Sequence, residues 1–189
     1  MVTMNEVARS VFGAWRLARL DPNGMALFDS SREGAINSFF VAVLLLPFHV
    51  VFLALRWGGE DVSAFHVFVV EAIFYVISWT AFLVIAIPIV RLLNRWEFYF
   101  AFVSAYNWSM VVQMALAFPV VLLTASGALS TQSAELLILV VHLLLLLYEG
   151  YVIRTALRIG GFEAAGMVIL DFILGITLNG LAIQTITGA

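Results

Sequence analysis

Several ionisable side chains stand inside apolar stretches of this sequence that are long enough to cross a membrane. They are Glu71, His142, Glu149 and Asp171, and the uncharged Asn107 lies in a similar stretch. A charged group at the centre of a bilayer is costly, so such residues usually face a protein interior or a water-filled path and are candidates for function. A carboxylate at this depth is suited to exchanging a proton or binding a cation, which makes Glu149 and Asp171 the leading candidates.

Counting along the predicted helices places the polar residues in two layers. Glu149, Asp171, Asn107 and Thr80 lie nine to eleven residues from one end of their spans, or about 14 to 16 Å at 1.5 Å per residue. A second layer lies about 10 to 15 Å from the opposite ends. Its members are Glu71, Gln113, His142, Asn179 and His49. All five predicted spans contribute to this polar lining.

Helical spacing also predicts that the polar residues of each span share one face, because positions three, four or seven residues apart lie on the same side of a helix. The four predicted faces are Glu71, Tyr75 and Ser78; Tyr106, Ser109 and Gln113; Glu135, His142 and Glu149; and Asp171, Gly175 and Asn179.

Two interpretations of this lining remain open. In the functional one, Glu149 and Asp171 exchange protons or bind a cation, and His142 and Glu71 belong to an outer relay. In the structural one, polar side chains and small residues such as Gly150, Gly166 and Gly175 hold the helices together. The second interpretation is favoured for the uncharged Asn107, Gln113 and Asn179.

Metal and cofactor sites are not expected. His49, His142 and Glu71 are predicted at similar depth, but no helix carries a local ligand pair such as H-E-x-x-H. A histidine hydrogen-bonded to a neighbouring helix is the simpler interpretation. The chain has no cysteine, which excludes disulfides, thiolate nucleophiles and cysteine-ligated metals.

Composition identifies the elements that must position these groups. The chain is 63% hydrophobic and 11% charged, with a mean hydropathy of +1.07, which is typical of an integral membrane protein. The connections are too short for a sizeable soluble domain, and backbone polar groups at depth must be satisfied inside helices. The predicted fold is therefore an all-α, polytopic bundle with five transmembrane helices. The predicted spans are 35–56, 64–90, 98–123, 134–153 and 162–185.

The segment 1–34 is predicted to be a cytoplasmic amphipathic region that precedes the transmembrane domain 35–189. In residues 5–20, apolar residues including Val7, Val11 and Trp15 alternate at helical spacing with arginines. Such a helix suits either an anionic membrane surface or the loops of its own bundle. The turn sequence "DPNG" then ends the helix, and Ser30 and Glu33 have the spacing of a capping box. Gly160 and Gly161 are predicted to stop the fourth span.

The arginines predict the orientation. Eight of the nine fall before the first span or in the second and fourth connections, and only Arg56 falls on the other side. Because cytoplasmic loops are enriched in Arg and Lys, the N-terminus is predicted in the cytoplasm and the C-terminus in the periplasm of a bacterial inner membrane. The N-terminus has no signal-peptide pattern, and Trp57, Trp96 and Tyr99 are predicted interfacial anchors.

No enzymatic motif is present. The sequence has no G-x-S-x-G and no phosphate-cradling glycine loop, so we expect neither catalysis nor a cofactor. The arginines are those that the topology requires, which gives no support for nucleic-acid binding.

The chain resembles the Yip1-like membrane proteins, in which a cytoplasmic amphipathic segment precedes five closely spaced spans. The stretch "GAWRLARLDPNGMALFD" leading into "SFFVAVLLLP" is similar to the opening of uncharacterised small inner-membrane proteins of bacteria. The resemblance implies a compact five-helix scaffold without enzymatic activity that acts through membrane or protein contacts.

Three functions follow as predictions. The first is a non-enzymatic, Yip1-like interaction or membrane-organising module, whose contacts with lipid, a membrane-protein partner or a second copy use Arg9, Trp15, Arg16 and Arg19. The second is a small transporter or channel subunit that moves protons, cations or a small solute past Glu149 and Asp171. The third is an accessory subunit of a larger membrane complex.

Overall fold

The computed structural model describes residues 2–188, and within that range it contains helices and no strands. The α-helices are α1 (Met4–Ala18), α2 (Arg32–Ser38), α3 (Phe40–Trp57), α4 (Ala64–Leu92), α5 (Tyr99–Ala125), α6 (Thr131–Leu157) and α7 (Gly161–Thr187). Two 3₁₀ segments, Pro22–Leu27 and Trp96–Phe98, connect α1 to α2 and α4 to α5. The predicted all-α fold is confirmed.

Five helical segments are long and apolar enough to cross a membrane. They are Arg32–Trp57, Ala64–Leu92, Trp96–Ala125, Thr131–Leu157 and Gly161–Thr187. The first consists of α2 and α3, which meet at Phe39. Each contains at least 26 residues, which at 1.5 Å per residue exceeds the roughly 30 Å of a hydrocarbon layer. The chain is a multi-pass integral membrane protein.

Two predicted helix ends are wrong in detail. Ser31, and not Ser30, caps the N-terminus of α2, because its side chain accepts from the Gly34 amide. At the end of α6 the left-handed residue is Arg158, with φ of 54°. Gly160 instead precedes α7 in extended conformation as its N-cap. Helix α6 therefore ends at Leu157, before the glycine pair that was predicted to stop it.

The packed core lies in the half of the bundle that carries most of the arginines, which we call the arginine-rich end. Eight consecutive residues of α5, 102–109, are buried there. Aromatic rings fill the space between α4 and α5, with Phe82 lying 5.1 Å from Tyr106 and 6.2 Å from Phe102 between ring centroids. Close packing of large side chains seals this half of the molecule.

Helix α1 packs across the arginine-rich end and is part of the same body as the long helices. Ala14 and Leu17 have no exposed surface. The Tyr148 hydroxyl of α6 donates to the Ala14 carbonyl at 2.9 Å, and the Tyr151 hydroxyl donates to the Leu20 carbonyl at 2.8 Å. Two roles were predicted for α1, binding to an anionic membrane surface and packing on the protein's own bundle. The buried face of α1 packs on the bundle.

The turn after α1 is held by charge and backbone geometry. The Asp21 carboxylate accepts from the Arg16 Nε at 2.7 Å and from the Asn23 amide at 3.0 Å. These bonds, that from Arg16 above all, lower the pKa of the Asp21 carboxyl. The turn brings Gly24 so close to Gly13 that a Cβ on Gly24 would lie 2.6 Å from the Gly13 carbonyl oxygen.

The opposite half of the bundle is loosely closed. Within the described chain, no residue of α6 between 131 and 147 is buried, and α5 has no buried residue beyond Val112. Here α4 and α7 hold together through a small cluster formed by Val67, Val70 and Ile186. Helices α5 and α6 contribute nothing buried to that cluster. A cavity occupies the space between these two groups of helices.

Candidate functional site

The cavity has a volume of about 460 Å³, which is within the range of small-molecule sites. Every one of the five long helices contributes to its wall. The polar members are His49 from α3; Glu71, Tyr75, Ser78 and Trp79 from α4; Tyr106 and Gln113 from α5; His142 and Glu149 from α6; and Asp171 and Asn179 from α7. Members of both predicted polar layers thus meet around one space.

The floor of the cavity is a carboxyl pair supported by a tyrosine. The Tyr106 hydroxyl donates to Asp171 Oδ2 at 2.6 Å. The Glu149 and Asp171 carboxyl groups are neighbours on the wall of this cavity. Glu149 is 94% buried, since its relative exposure is 6%. Its Oε1 atom has no partner among the described residues.

This arrangement has a defined chemistry. Two carboxylates in contact repel when both are charged, so such a pair holds a shared proton or binds a cation between its oxygens. Tyr106 occupies one oxygen of Asp171 as a donor and leaves the remaining oxygens free. The unpartnered Oε1 of Glu149 is a buried acceptor, and a buried acceptor without a partner is costly unless something binds to it. The pair is therefore suited to a positively charged occupant.

Aromatic rings form much of the wall above the floor. The His49 and Tyr75 rings are 4.5 Å apart, Tyr75 and Trp79 are 6.1 Å apart, and His142 and Phe172 are 5.9 Å apart between centroids. Within the described part of the chain, no lysine or arginine lines the cavity, whereas three carboxylates do. Aromatic faces and carboxylates both attract cations.

The end of the cavity away from the floor is organised by residues at the C-terminal end of α3. The Trp57 indole donates to Glu71 Oε1 at 3.2 Å. Arg56 donates to Asn179 Oδ1 at 2.8 Å. Sequence reasoning assigned Trp57 only an anchoring role and Arg56 none. The sequence does single out Arg56 in one way, because it is the single arginine predicted at this side of the membrane.

The structure brings together most of the predicted site residues, but not all. Glu149, Asp171, Glu71 and His142 line the cavity. Asn107 does not line it: its side chain is fully buried toward α2, where its Nδ2 donates to Ser38 Oγ at 2.8 Å.

The predicted helix faces also line the cavity only in part. The sets in α4 and α7 line the cavity in full, whereas Ser109 of the α5 set and Glu135 of the α6 set lie outside the lining. Ser109 is buried and donates to the Tyr106 carbonyl at 2.6 Å. Glu135 is exposed. Thr80, predicted in the same layer as Glu149, donates to carbonyls of its own helix.

The predicted contact residues of α1 occupy different positions around the helix. Arg16 is engaged with Asp21. Arg9 and Arg19 are exposed. Trp15 is 50% exposed, and the neighbouring Phe12 is 55% exposed. One edge of α1 therefore presents aromatic surface next to positive charge, while the opposite edge is buried in the bundle.

Metal ligands are not clustered in residues 2–188, since no group of three His, Cys, Asp or Glu side chains converges there. His49 and Glu71 line one cavity with His142, but they do not form such a group. No known protein family, curated protein or solved structure matches the chain. The Yip1-like resemblance stays a prediction.

Proposed function

We propose that this protein is a small membrane transporter, or a subunit of one, that carries a proton or a small cation on Glu149 and Asp171. The observation that carries the proposal is the buried, unpartnered acceptor of Glu149 beside Asp171 at the floor of a cavity lined by all five long helices. Carboxylates inside the membrane mark ion and proton paths in transporters.

The chemistry of the pair supports exchange. When a cation binds between the Glu149 and Asp171 oxygens, the shared proton leaves, and when the cation departs, a proton returns. Tyr106 keeps Asp171 fixed during the exchange. Three further titratable side chains face the same space, namely His49 from α3, Glu71 from α4 and His142 from α6, and these provide sites for the proton on its way out.

The geometry also gives the exchange a direction. The cavity floor lies against the packed core of the arginine-rich end, where Tyr148 next to the pair is hydrogen-bonded to α1. Its other lining residues reach the loosely closed half, where His142 and Asn179 are exposed. In the proposed cycle this arrangement is the state that opens to the side opposite the arginines, and transport requires a second state in which α1 and α6 separate.

The test uses purified protein in liposomes that contain a pH-sensitive dye. Gradients of Na⁺, K⁺ and tetramethylammonium, and an imposed membrane potential, are applied in turn, and proton movement is recorded. We expect proton flux in the parent protein and its loss in Glu149→Gln and Asp171→Asn. The matched control is Glu135→Gln, because Glu135 is an exposed carboxylate on the same helix and outside the cavity.

Folding of the variants is measured separately by thermal unfolding. An amide in place of either carboxylate removes a like-charge contact and can donate to the remaining carboxylate, so we expect both variants to be at least as stable as the parent. Absence of flux in the parent under every gradient would overturn the proposal. Equal flux in the parent and in both carboxyl variants would do the same.

A second candidate is the Yip1-like interaction module, in which activity resides in α1. The observation in its favour is the half-exposed pair Phe12 and Trp15 beside Arg19. Because α1 also packs into the core, deleting residues 1–20 would disturb the fold and test nothing specific. Phe12→Ser with Trp15→Ser leaves the buried face intact. Loss of crosslinked partners in native membranes, with no flux in the parent, would favour this candidate over transport.

A further inference from the structure

A second cavity, which we call the apolar groove, lies between α3 and α4 and has a volume of about 760 Å³. Its walls are mostly aliphatic and aromatic side chains, among them Leu46, Val50, Ala72 and Val76. Val50 is 52% exposed and Val76 is 64% exposed. In a membrane this surface faces lipid, so the groove is reached from the side of the bundle.

The apolar groove adjoins the polar cavity. His49, Tyr75 and Trp79 line both spaces. The Tyr75 hydroxyl donates to the Ala42 carbonyl at 2.6 Å, which ties α4 to α3 on the side of the groove nearer the arginine-rich end. On the other side of this tie, His49 Nε2 is buried and has no partner among the described residues. The wall between the two spaces therefore consists of three side chains, one of which lacks a hydrogen-bond partner.

The two spaces differ in the chemistry that they offer. The polar cavity presents carboxylates and aromatic faces, which select a cation. The apolar groove presents hydrocarbon, which accommodates an alkyl or aromatic substituent. A molecule that has both parts concentrates in the bilayer, and this raises its effective concentration at a lateral entrance.

We propose that the cargo of this site is an amphiphilic organic cation, with its charged head against Glu149 and Asp171 and its apolar part in the groove between α3 and α4. The proposal rests on the proposed function. Charge selects against the alternatives: a phosphate-bearing lipid would bring its anion next to three carboxylates with no lysine or arginine on the described wall to receive it. The tail enters between the helices, and the head passes His49, Tyr75 and Trp79.

The experiment uses the full chain in lipid nanodiscs and a dodecyltrimethylammonium probe that carries a photoreactive group on its tail. Adducts are mapped by mass spectrometry. We expect labelling at Val50 and Val76, and a decrease of about tenfold in Asp171→Asn or Glu149→Gln, because the head then loses one of its two ionic partners. Adducts at Leu139, which is exposed on α6 and lies outside both cavities, should not change and serve as an internal reference.

A matched pair of variants tests the groove itself. Ala72 lines the apolar groove and Ala115 lines neither cavity, while both are exposed alanines within long helices. Ala72→Phe should reduce labelling by the dodecyl probe about tenfold, because a phenyl ring occupies the path of the tail. Ala115→Phe should leave it unchanged. A dodecyl phosphate probe should label the groove weakly in every variant.

The outcomes separate the inference from the proposed function. If the dodecyl phosphate probe labels the groove as strongly as the cation, and the carboxyl variants change nothing, the groove holds ordinary lipid and the inference is wrong. If Na⁺, K⁺ or tetramethylammonium drives proton flux that the carboxyl variants abolish, while the dodecyl cation shows no dependence on those variants, the inference fails and the proposed function stands. If the parent shows no flux with any cation, the proposed function is wrong, and the inference that rests on it is wrong as well.

Discussion

At the scale of single residues, the site depends on which polar groups meet and which do not. Glu149 and Asp171 were identifiable as deep carboxylates from their residue types and positions, because ionisable groups in apolar runs are unusual. Their proximity, and the bond from Tyr106 to Asp171, depend on how α5, α6 and α7 are rotated against each other. Asn107 shows the other outcome, since it lies at comparable depth by counting yet faces Ser38 of α2.

Asn107 provides the test at this scale. Asn107→Leu removes the bond to Ser38, whose hydroxyl still donates to the Ala35 carbonyl at 2.7 Å. We expect a loss of about 0.6 kcal/mol in the free energy of unfolding, the average for polar contacts between membrane helices, and no more than about 1.7 kcal/mol, the largest of them. Cation-driven proton flux per folded molecule should stay at the parent level. Denaturant unfolding in detergent and the liposome assay measure the two effects, and a selective loss of flux would place Asn107 in the site.

At the scale of elements, the glycines that allow two segments of backbone to pack closely are not the ones that the sequence pattern indicates. Of the three glycines considered as helix contacts, Gly150 would bring a Cβ within 3.4 Å of Val168, while Gly166 and Gly175 have nothing within 4 Å. The tight contact joins Gly13 of α1 and Gly24 of the following 3₁₀ segment. No periodic pattern marks that pair, because the chain folds back on itself through an irregular turn.

Gly24→Ala tests this element. The added methyl group would lie 2.6 Å from the Gly13 carbonyl oxygen and 3.1 Å from the Arg16 Cβ, so the turn must move away from α1. Overpacking of this kind costs about 1 to 3 kcal/mol. We expect a lower unfolding temperature and faster trypsin cleavage at Arg16 and Arg19.

Gly166→Ala is the control, because Gly166 is a helical glycine with open space around it. Alanine is the better helix former by about 1 kcal/mol, so this variant should be no less stable than the parent. If both variants unfold like the parent, the Gly13 and Gly24 contact contributes nothing to stability.

At the scale of the whole molecule, the bundle is closed at its arginine-rich end and loosely packed at the other. The closed half contains α1, the aromatic core, the N-terminal part of α5 and the C-terminal part of α6. The loose half contains the polar cavity and the lipid-facing groove. The arginine distribution predicts that the arginine-rich end faces the cytoplasm, and this orientation sets the direction of the proposed exchange.

Orientation can be tested cleanly because the chain has no cysteine of its own. Glu97 is exposed beside the arginine-rich end, and Ala128 is exposed in the connection between α5 and α6 at the opposite end. A membrane-impermeant maleimide should label Ala128→Cys in intact cells. It should label Glu97→Cys only after permeabilisation. The reverse pattern would contradict the predicted orientation and invert the direction of the proposed exchange.

The sequence by itself determined the membrane class, the five spans and the faces on which most cavity residues lie. These properties follow from apolar runs and from the 3.6-residue repeat, both of which are local along the chain. Only the tertiary structure decided that Glu149 lies beside Asp171, that Tyr106 donates to Asp171, that Asn107 turns to α2, and that α1 packs into the core. It also decided that the polar cavity and the apolar groove lie on two sides of a wall formed by His49, Tyr75 and Trp79. Such contacts depend on the rotation and tilt of helices far apart in sequence, and those are set by side-chain packing between them.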